Sequence, residues 1–174
     1  MRVWVIDGCR YGLHSFTRRG WGLRGVRVVK RVQQKYQWGY VYGGLEVVHG
    51  GAQFRFMPAV NLDFSGGFLA QLAASDPAAE HVVIEDQAGF HYPPGDARLP
   101  AHIHLLPLPP YSPELNPTEK IWDIIKDTLA NQVFGTLNAI EDALAAALRP
   151  FWEERQRVLA VVGEGWLRTQ ANAS

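Results

Sequence analysis

Hydrophobic and polar positions change their period along this chain, and the changes mark out its elements. VWVID, residues 3–7, is an apolar run closed by Gly8 and predicts a short buried strand. YQWGYVYGGLEVV, residues 36–48, is rich in aromatic and β-branched side chains; the turn HGG and the alternating AQFRFMPAV, residues 52–60, follow it, so the pair predicts a β-hairpin. In FSGGFLAQLAA, residues 64–74, Phe64, Phe68, Leu69 and Leu72 recur at helical spacing, with Asp63 or Ser65 as the expected cap and Gly66–Gly67 working against the helix. HVVIED, residues 81–86, and HIHLLPL, residues 102–108, read as two more strands, separated by the loop QAGFHYPPGDARLP. From about 117 to 131, Ile121, Trp122, Ile125 and Leu129 form one apolar stripe of a helix. A second helix covers roughly 138–149, residues 151–162 continue it past Pro150, and the tail GWLRTQANAS is expected to fray. This order of elements predicts an α/β fold with a mixed central β-sheet and flanking helices.

Composition narrows the class. A chain of 174 residues, 47% hydrophobic and 20% charged, is suited to a packed domain and not to disorder. Its single cysteine, Cys9, cannot form an internal disulfide, which points to a reducing, cytoplasmic location. No stretch is apolar enough for a membrane span, and MRVWVIDGCR lacks the apolar core of a signal peptide.

The net charge of zero conceals an asymmetry. Between Asp7 and Glu46 there is no acid, whereas Arg10, Arg18, Arg19, Arg24, Arg27, Lys30, Arg31 and Lys35 supply eight of the 17 basic residues. Tyr11, Phe16, Trp21, Tyr36 and Trp38 are interspersed among them. Arginine forks and aromatic faces together grip a nucleic-acid backbone, so this block is the expected DNA-contacting surface, with a merely solvated loop as the other reading.

Two predicted strands end in aspartate, Asp7 and Asp86, and ligand sites gather at strand ends in open α/β sheets. Period two places Asp7 with Val3 and Val5, and Asp86 with Val82 and Ile84, while Glu85 faces away. If the strands are parallel neighbours, the carboxylates lie side by side. Clustered carboxylates need a compensating cation, and Mg2+ suits such hard oxygen donors. A strand-terminal aspartate also serves as a turn residue, and that reading stays open. LPPYSPELNPTEKIW, residues 108–122, raises the same choice for a third acid. Asn116, Pro117 and Glu119 stand at the N-cap, N1 and N3 positions of a capping box, where Glu119 turns back to its own helix; alternatively it completes the carboxylate cluster. The prolines ahead of it stiffen the loop. His91 is close enough in sequence to serve the Asp86 site; His102 and His104 lack cysteine companions for zinc, and Cys9 lacks an evident histidine partner.

These stretches also carry a resemblance. VWVIDGCRYGL (3–13), VVIEDQAGFH (82–91) and LPLPPYSPELNPTEKIWDIIKD (106–127) resemble, in order and spacing, the three motifs of mariner-like DDE transposases of the bacterial insertion-sequence branch. The resemblance implies an RNase H-like catalytic core over residues 1–135, with 136–174 as a helical extension of the same domain. It further implies Asp7, Asp86 and Glu119 as catalytic residues and ligands of Mg2+ or Mn2+, two ions in all. His91, Gln87 and Asn116 become supporting positions around them. The implied activity is cleavage of element-end DNA and transfer of the strand to a target, by a homodimer; a nuclease without strand transfer and an inactive DNA- or partner-binding remnant are the alternatives. The chain departs from the family at Gly8, where a second acid is usual, and at Gln87, where asparagine is usual. It also opens on the first catalytic strand, without the helix-turn-helix modules of the family, so a DNA-binding polypeptide from an upstream reading frame is an expected partner.

Overall fold

The computed structural model describes residues 1–163, so the tail GWLRTQANAS lies outside the described residues. The chain runs β1 (Arg2–His14), β2 (Gln34–Glu46), β3 (Ala52–Met57), α1 (Leu62–Ser75), β4 (His81–Glu85), β5 (Ile103–Pro107), a 3-10 turn (Pro113–Leu115), α2 (Glu119–Leu129), α3 (Leu137–Glu153) and α4 (Arg155–Val162). The five strands form one sheet in the order β3-β2-β1-β4-β5. The pairs β1/β2 and β2/β3 are antiparallel, whereas β1/β4 and β4/β5 are parallel. This is the expected mixed α/β architecture.

β1 is longer than the apolar run at 3–7. Gly8 does not end it, because Gly8 pairs with Tyr42 across the sheet. A Cβ on Gly8 would stand 3.2 Å from the Tyr42 ring, so the missing side chain lets that ring lie over the strand. Beyond it, Tyr11 and Leu13 are buried and keep the alternation going. Arg10 and Lys35 are therefore strand residues, and the basic loop is confined to residues 15–33.

The pleat sorts the core onto two faces. Val3, Val5, Val41 and Leu45 pack with Ile121, Trp122 and Ile125 of α2 and Ile140, Leu144 and Leu148 of α3. Trp4, Ile6, Tyr42 and Val83 pack on the other face with Phe68, Leu69 and Leu72 of α1. Each fully buried aliphatic or aromatic side chain contributes about 1.5–3 kcal/mol, so both faces are needed. α1 is capped by Asn61, whose side chain accepts from Phe64 N at 2.9 Å; neither Asp63 nor Ser65 performs that role.

Pro150 lies inside α3, and the chain breaks four residues later at Glu154 before α4 begins. The continuation expected across 151–162 is thus two helices. At the β2–β3 turn, Gly50 has φ +77, and a Cβ there would come 2.6 Å from the Arg155 carbonyl at the start of α4. Only glycine meets both demands. His102 and His104 close on the two oxygens of Glu80 at 2.8 and 2.7 Å. No helix among the described residues is long and apolar enough to cross a membrane.

Candidate active site

Asp7 and Asp86 owe their meeting to strand register. Val3 pairs with Val82 and Val5 with Ile84, the last pair of that ladder, so Asp7 and Asp86 each stand two residues beyond the same pair. β4 ends at Glu85, so Asp86 is the first residue beyond its strand, as expected from the sequence. Asp7 is not at a strand end: β1 continues for seven residues beyond it, held by β2. What ends just before Asp7 is the partnership with β4, whose last pair is Val5 with Ile84. The carboxyl group therefore sits where two parallel strands part company, a position open to ligand although its own backbone is continuous.

Glu119 reaches the same place because the residues just ahead of α2 are tied to β1. Asn116 Nδ2 donates to the Ile6 carbonyl at 3.2 Å, and its Oδ1 accepts from Thr118 N at 3.0 Å. Thr118 Oγ1 lies 3.5 Å from the Val5 carbonyl as its donor. Both polar side chains are buried. The expected capping box is absent: α2 begins at Glu119 with Thr118 at its N-cap, the Thr118 side chain makes no capping bond, and Asn116 lies ahead of the helix, its Oδ1 closing a turn on Thr118 N while its own N–H donates to the Pro113 carbonyl at 2.9 Å. Glu119 faces instead a cleft of about 520 Å³, lined also by Asp7, Asp86, Gln87, the loop 108–113 and Asn116.

The electrostatics of the cleft are those of crowded carboxylates. Burial pushes Asp7 up to about 6; hydrogen bonds from Trp122 Nε1 and Gly8 N, each 2.7 Å, act in the opposite sense, and the Glu119 and Asp86 charges add to the rise. Asp86 is held below its ordinary value, chiefly by hydrogen bonding from His91, against its partial burial. His91 Nδ1 lies 2.9 Å from Asp86 Oδ1 and 3.0 Å from the Asp86 carbonyl. Burial pulls the His91 imidazole down, yet the Asp86 hydrogen bond and the Glu85 charge outweigh it and the net shift is upward. Three carboxylates on one cleft, one of them buried against its own charge, are by their chemistry the hard oxygen donors that a divalent cation such as Mg2+ takes. As the side chains stand, Asp7 and Asp86 are engaged by protein N–H groups. Among the described residues no group of three or more His, Cys, Asp or Glu side chains is arranged to hold an ion.

The two departures from the family pattern have local explanations. Gly8 donates its N–H to Asp7 and accommodates the Tyr42 ring. Gln87 Nε2 donates to the Leu108 carbonyl at 2.9 Å, joining the segment after Asp86 to the start of the proline loop. The sequence reading missed three residues. Trp122 was legible only as part of an apolar stripe, but its indole N–H holds Asp7. Gly43 pairs with Asp7, and a Cβ on it would come 2.7 Å from the Trp122 ring. Glu85, assigned to the far face, is a buried carboxyl that burial pushes up to about 7, and its Oε2 is 3.6 Å from His91 Nδ1. The alternation at 82–86 carried a signal for Glu85; no local signal exists for the other two.

All eight cations of the basic block are exposed. Arg18 pairs with Asp127 at 2.9 Å, and Lys30 donates to Asn131 Oδ1 at 2.7 Å, so these two tether the loop to α2 and the turn after it. Arg10 lies over the Trp38 ring at 4.5 Å. Among the described residues Arg10, Arg19, Arg24, Arg27, Arg31 and Lys35 make no ion pair.

The sheet order, with helices on both faces of one mixed sheet, is that of an RNase H-like fold, and solved structures share it. The chain is similar to the Mos1 transposase paired-end complex with left transposon end (TM-score 0.60, 14% identity, 94% of this chain and 56% of that one). It is equally similar to a pre-cleavage Mos1 transpososome (0.61, 12%, 95% and 57%) and to the Mos1 mariner paired end complex with Mn (0.60, 13%, 94% and 56%). It thus spans little more than half the length of these transposase chains. The family itself is given by sequence: residues 2–141 match the model of the DDE superfamily endonucleases, and the chain belongs to that family. An uncharacterized protein of Sinorhizobium fredii, y4pE/y4sA, is 30% identical over 131 residues, covering 74% of this chain and 96% of that one.

Proposed function

We propose that this chain is the catalytic domain of a DNA transposase, which cuts a strand at the end of an insertion sequence and joins the freed 3′-hydroxyl to a target phosphodiester. The observation that carries the reading is that Asp7 of β1, Asp86 at the end of β4 and Glu119 of α2 line one cleft. In this reading they hold Mg2+ or Mn2+, two ions in all, whose charge when bound activates the attacking oxygen and stabilises the leaving one. The chain's own part is positional. A continuous strand presents Asp7, a helix tied to that strand presents Glu119, and His91 with Gln87 fixes the turn that carries Asp86. The exposed cations of residues 10–35 bind phosphates of element end and target without reading sequence. Recognition of the ends is assigned to a DNA-binding polypeptide from an upstream frame, pairing of two ends to a homodimer, and the location to the cytoplasm.

The test is metal-dependent nicking and joining of element-end DNA by the chain alone and fused to its upstream frame. Mg2+-dependent nicks and joined products are expected, both abolished in Asp86→Asn and Glu119→Gln with the circular dichroism unchanged. Full nicking by either variant removes the triad. Nicks without joined products reduce the reading to that of a nuclease.

A further inference from the structure

The loop between β5 and α2 displays one residue of which neither the fold nor the carboxylate cluster makes use. Tyr111 stands in the wall of the acidic cleft with its side chain fully exposed, at 100% relative accessibility. An exposed ring by itself says little. Its setting says more. The Tyr111 backbone is left-handed, at φ +58, a conformation that costs a non-glycine residue about 1 kcal/mol and persists only where its surroundings impose it. Pro109, Pro110 and Pro113 fix their own φ angles on either side of it and stiffen the segment.

Both ends of this segment are anchored. Leu108 N donates to the Glu85 carbonyl at 2.7 Å, and Asn116 holds the Ile6 carbonyl. The ring is thus carried on a stiff bracket tied to the two strands that present the carboxylates. Prolines and tyrosine give this wall an apolar, flat surface, while the carboxylates repel any phosphate that arrives without a cation. A strand that brings a phosphodiester to Asp7, Asp86 and Glu119 has its neighbouring base to place, and the same cleft offers it this wall.

We propose that Tyr111 is a stacking platform for one nucleobase of the DNA strand held in the cleft, setting that strand's position relative to the carboxylates. The inference rests on the DNA-cutting reading above. Every base has a π face, so the platform contributes grip and placement but no choice of sequence. Because the bracket is already rigid, little ordering is lost when the base stacks. The hydroxyl is not needed, and phenylalanine serves as well.

The experiment measures binding of the full chain to a fluorescein-labelled, mixed-sequence duplex with a single-stranded 3′ overhang, by anisotropy. Each overhang base is replaced in turn by an abasic nucleotide. Tyr111→Ala weakens binding of the intact oligonucleotide by about tenfold, whereas Tyr111→Phe stays within about twofold. Tyr111→Gly, which adopts the left-handed backbone without strain, behaves as Tyr111→Ala and so excludes a refolded loop as the cause. One abasic position weakens the wild type by the same factor and has no further effect in Tyr111→Ala, the signature of a coupled pair. Wild-type binding by Tyr111→Ala, or losses that add to the mutation at every abasic position, overturns the inference and leaves the DNA reading standing. Absence of DNA binding by the wild type overturns both.

Discussion

The indole N–H of Trp122 donates to Asp7 Oδ2 at 2.7 Å, linking a residue of α2 to one of β1 across 115 positions of sequence. Trp122 is 2% exposed, so its ring belongs to the core while its one polar atom serves the acid. Trp122→Phe keeps most of the packing and removes the donor. The expected result is a loss of about 1 kcal/mol of stability and a further rise of the Asp7 pKa, because the lost bond favoured the charged form. Chemical denaturation, with NMR titration of the Asp7 carboxyl, measures both.

Asp7 makes the metal-free protein sensitive to pH in a direction opposite to that of a salt-bridged carboxylate. Its folded-state value is about 6 against an ordinary 3.8, so between these pH values the folded state binds more protons than the unfolded state. The contribution of this group to stability is therefore present below about pH 4 and is lost as pH rises through 6. Asp7→Asn raises the unfolding free energy at pH 7 in EDTA and removes this component of the pH profile. Urea denaturation of both proteins at pH 4.5 and 7 tests it; an Asn variant no more stable than wild type at pH 7 contradicts the burial argument.

The same value governs metal affinity. If, as proposed, Asp7 is a Mg2+ ligand, binding takes its ionised carboxylate, so binding at pH 6 expels a proton from about half of the molecules and affinity falls as pH drops from 7 to 5. Calorimetry in buffers of different ionisation enthalpy reads the proton directly. A heat independent of buffer at pH 6 places the ion elsewhere.

Gly43 lies opposite Asp7 and leaves room for the Trp122 ring. Gly43→Ala introduces a Cβ 2.7 Å from that ring and 3.1 Å from Phe54, which forces a shift in a packed core. A loss of about 1–3 kcal/mol is expected, together with altered Trp fluorescence and reduced nicking. Unchanged stability in a denaturant melt rules out the close approach.

Asn116 does two jobs that substitution can separate. Asn116→Asp keeps an acceptor for Thr118 N but loses the donor to Ile6, whereas Asn116→Ala loses both. Asn116→Ala is expected to cost about 1–2 kcal/mol, with the larger effect on nicking because Glu119 is no longer aimed. Asn116→Asp is expected to retain helix stability and still lose activity. Wild-type nicking by Asn116→Asp refutes the anchoring role.

Much of the fold was readable because it is written in local periods. The aromatic and β-branched run at 36–48 and the alternation at 52–60 yield β2 and β3 as a hairpin, and the stripe Ile121, Trp122, Ile125 and Leu129 yields the buried face of α2. Errors fell where tertiary contacts outweighed local signals. Gly8 reads as a stop but sits within a strand, since Tyr42 fills the space its side chain leaves. Asn116-Pro117-Thr118-Glu119 reads as a capping box, but the Pro113 carbonyl takes the N–H that Glu119 would have capped.

By itself the sequence determined which residues could carry the chemistry, three acids in motif order, and the elements that bear them, because helical and strand periodicities and proline restrictions act between residues close in the chain. Only the tertiary structure decided that the acids share a cleft. The β1/β4 ladder leaves Asp7 and Asp86 each two residues past its last pair, Asn116 ties the approach to α2 to Ile6, and Trp122 holds Asp7. Those are contacts between residues from 79 to 115 positions apart, and their free energy arises only when the packed sheet and helix exclude water between them.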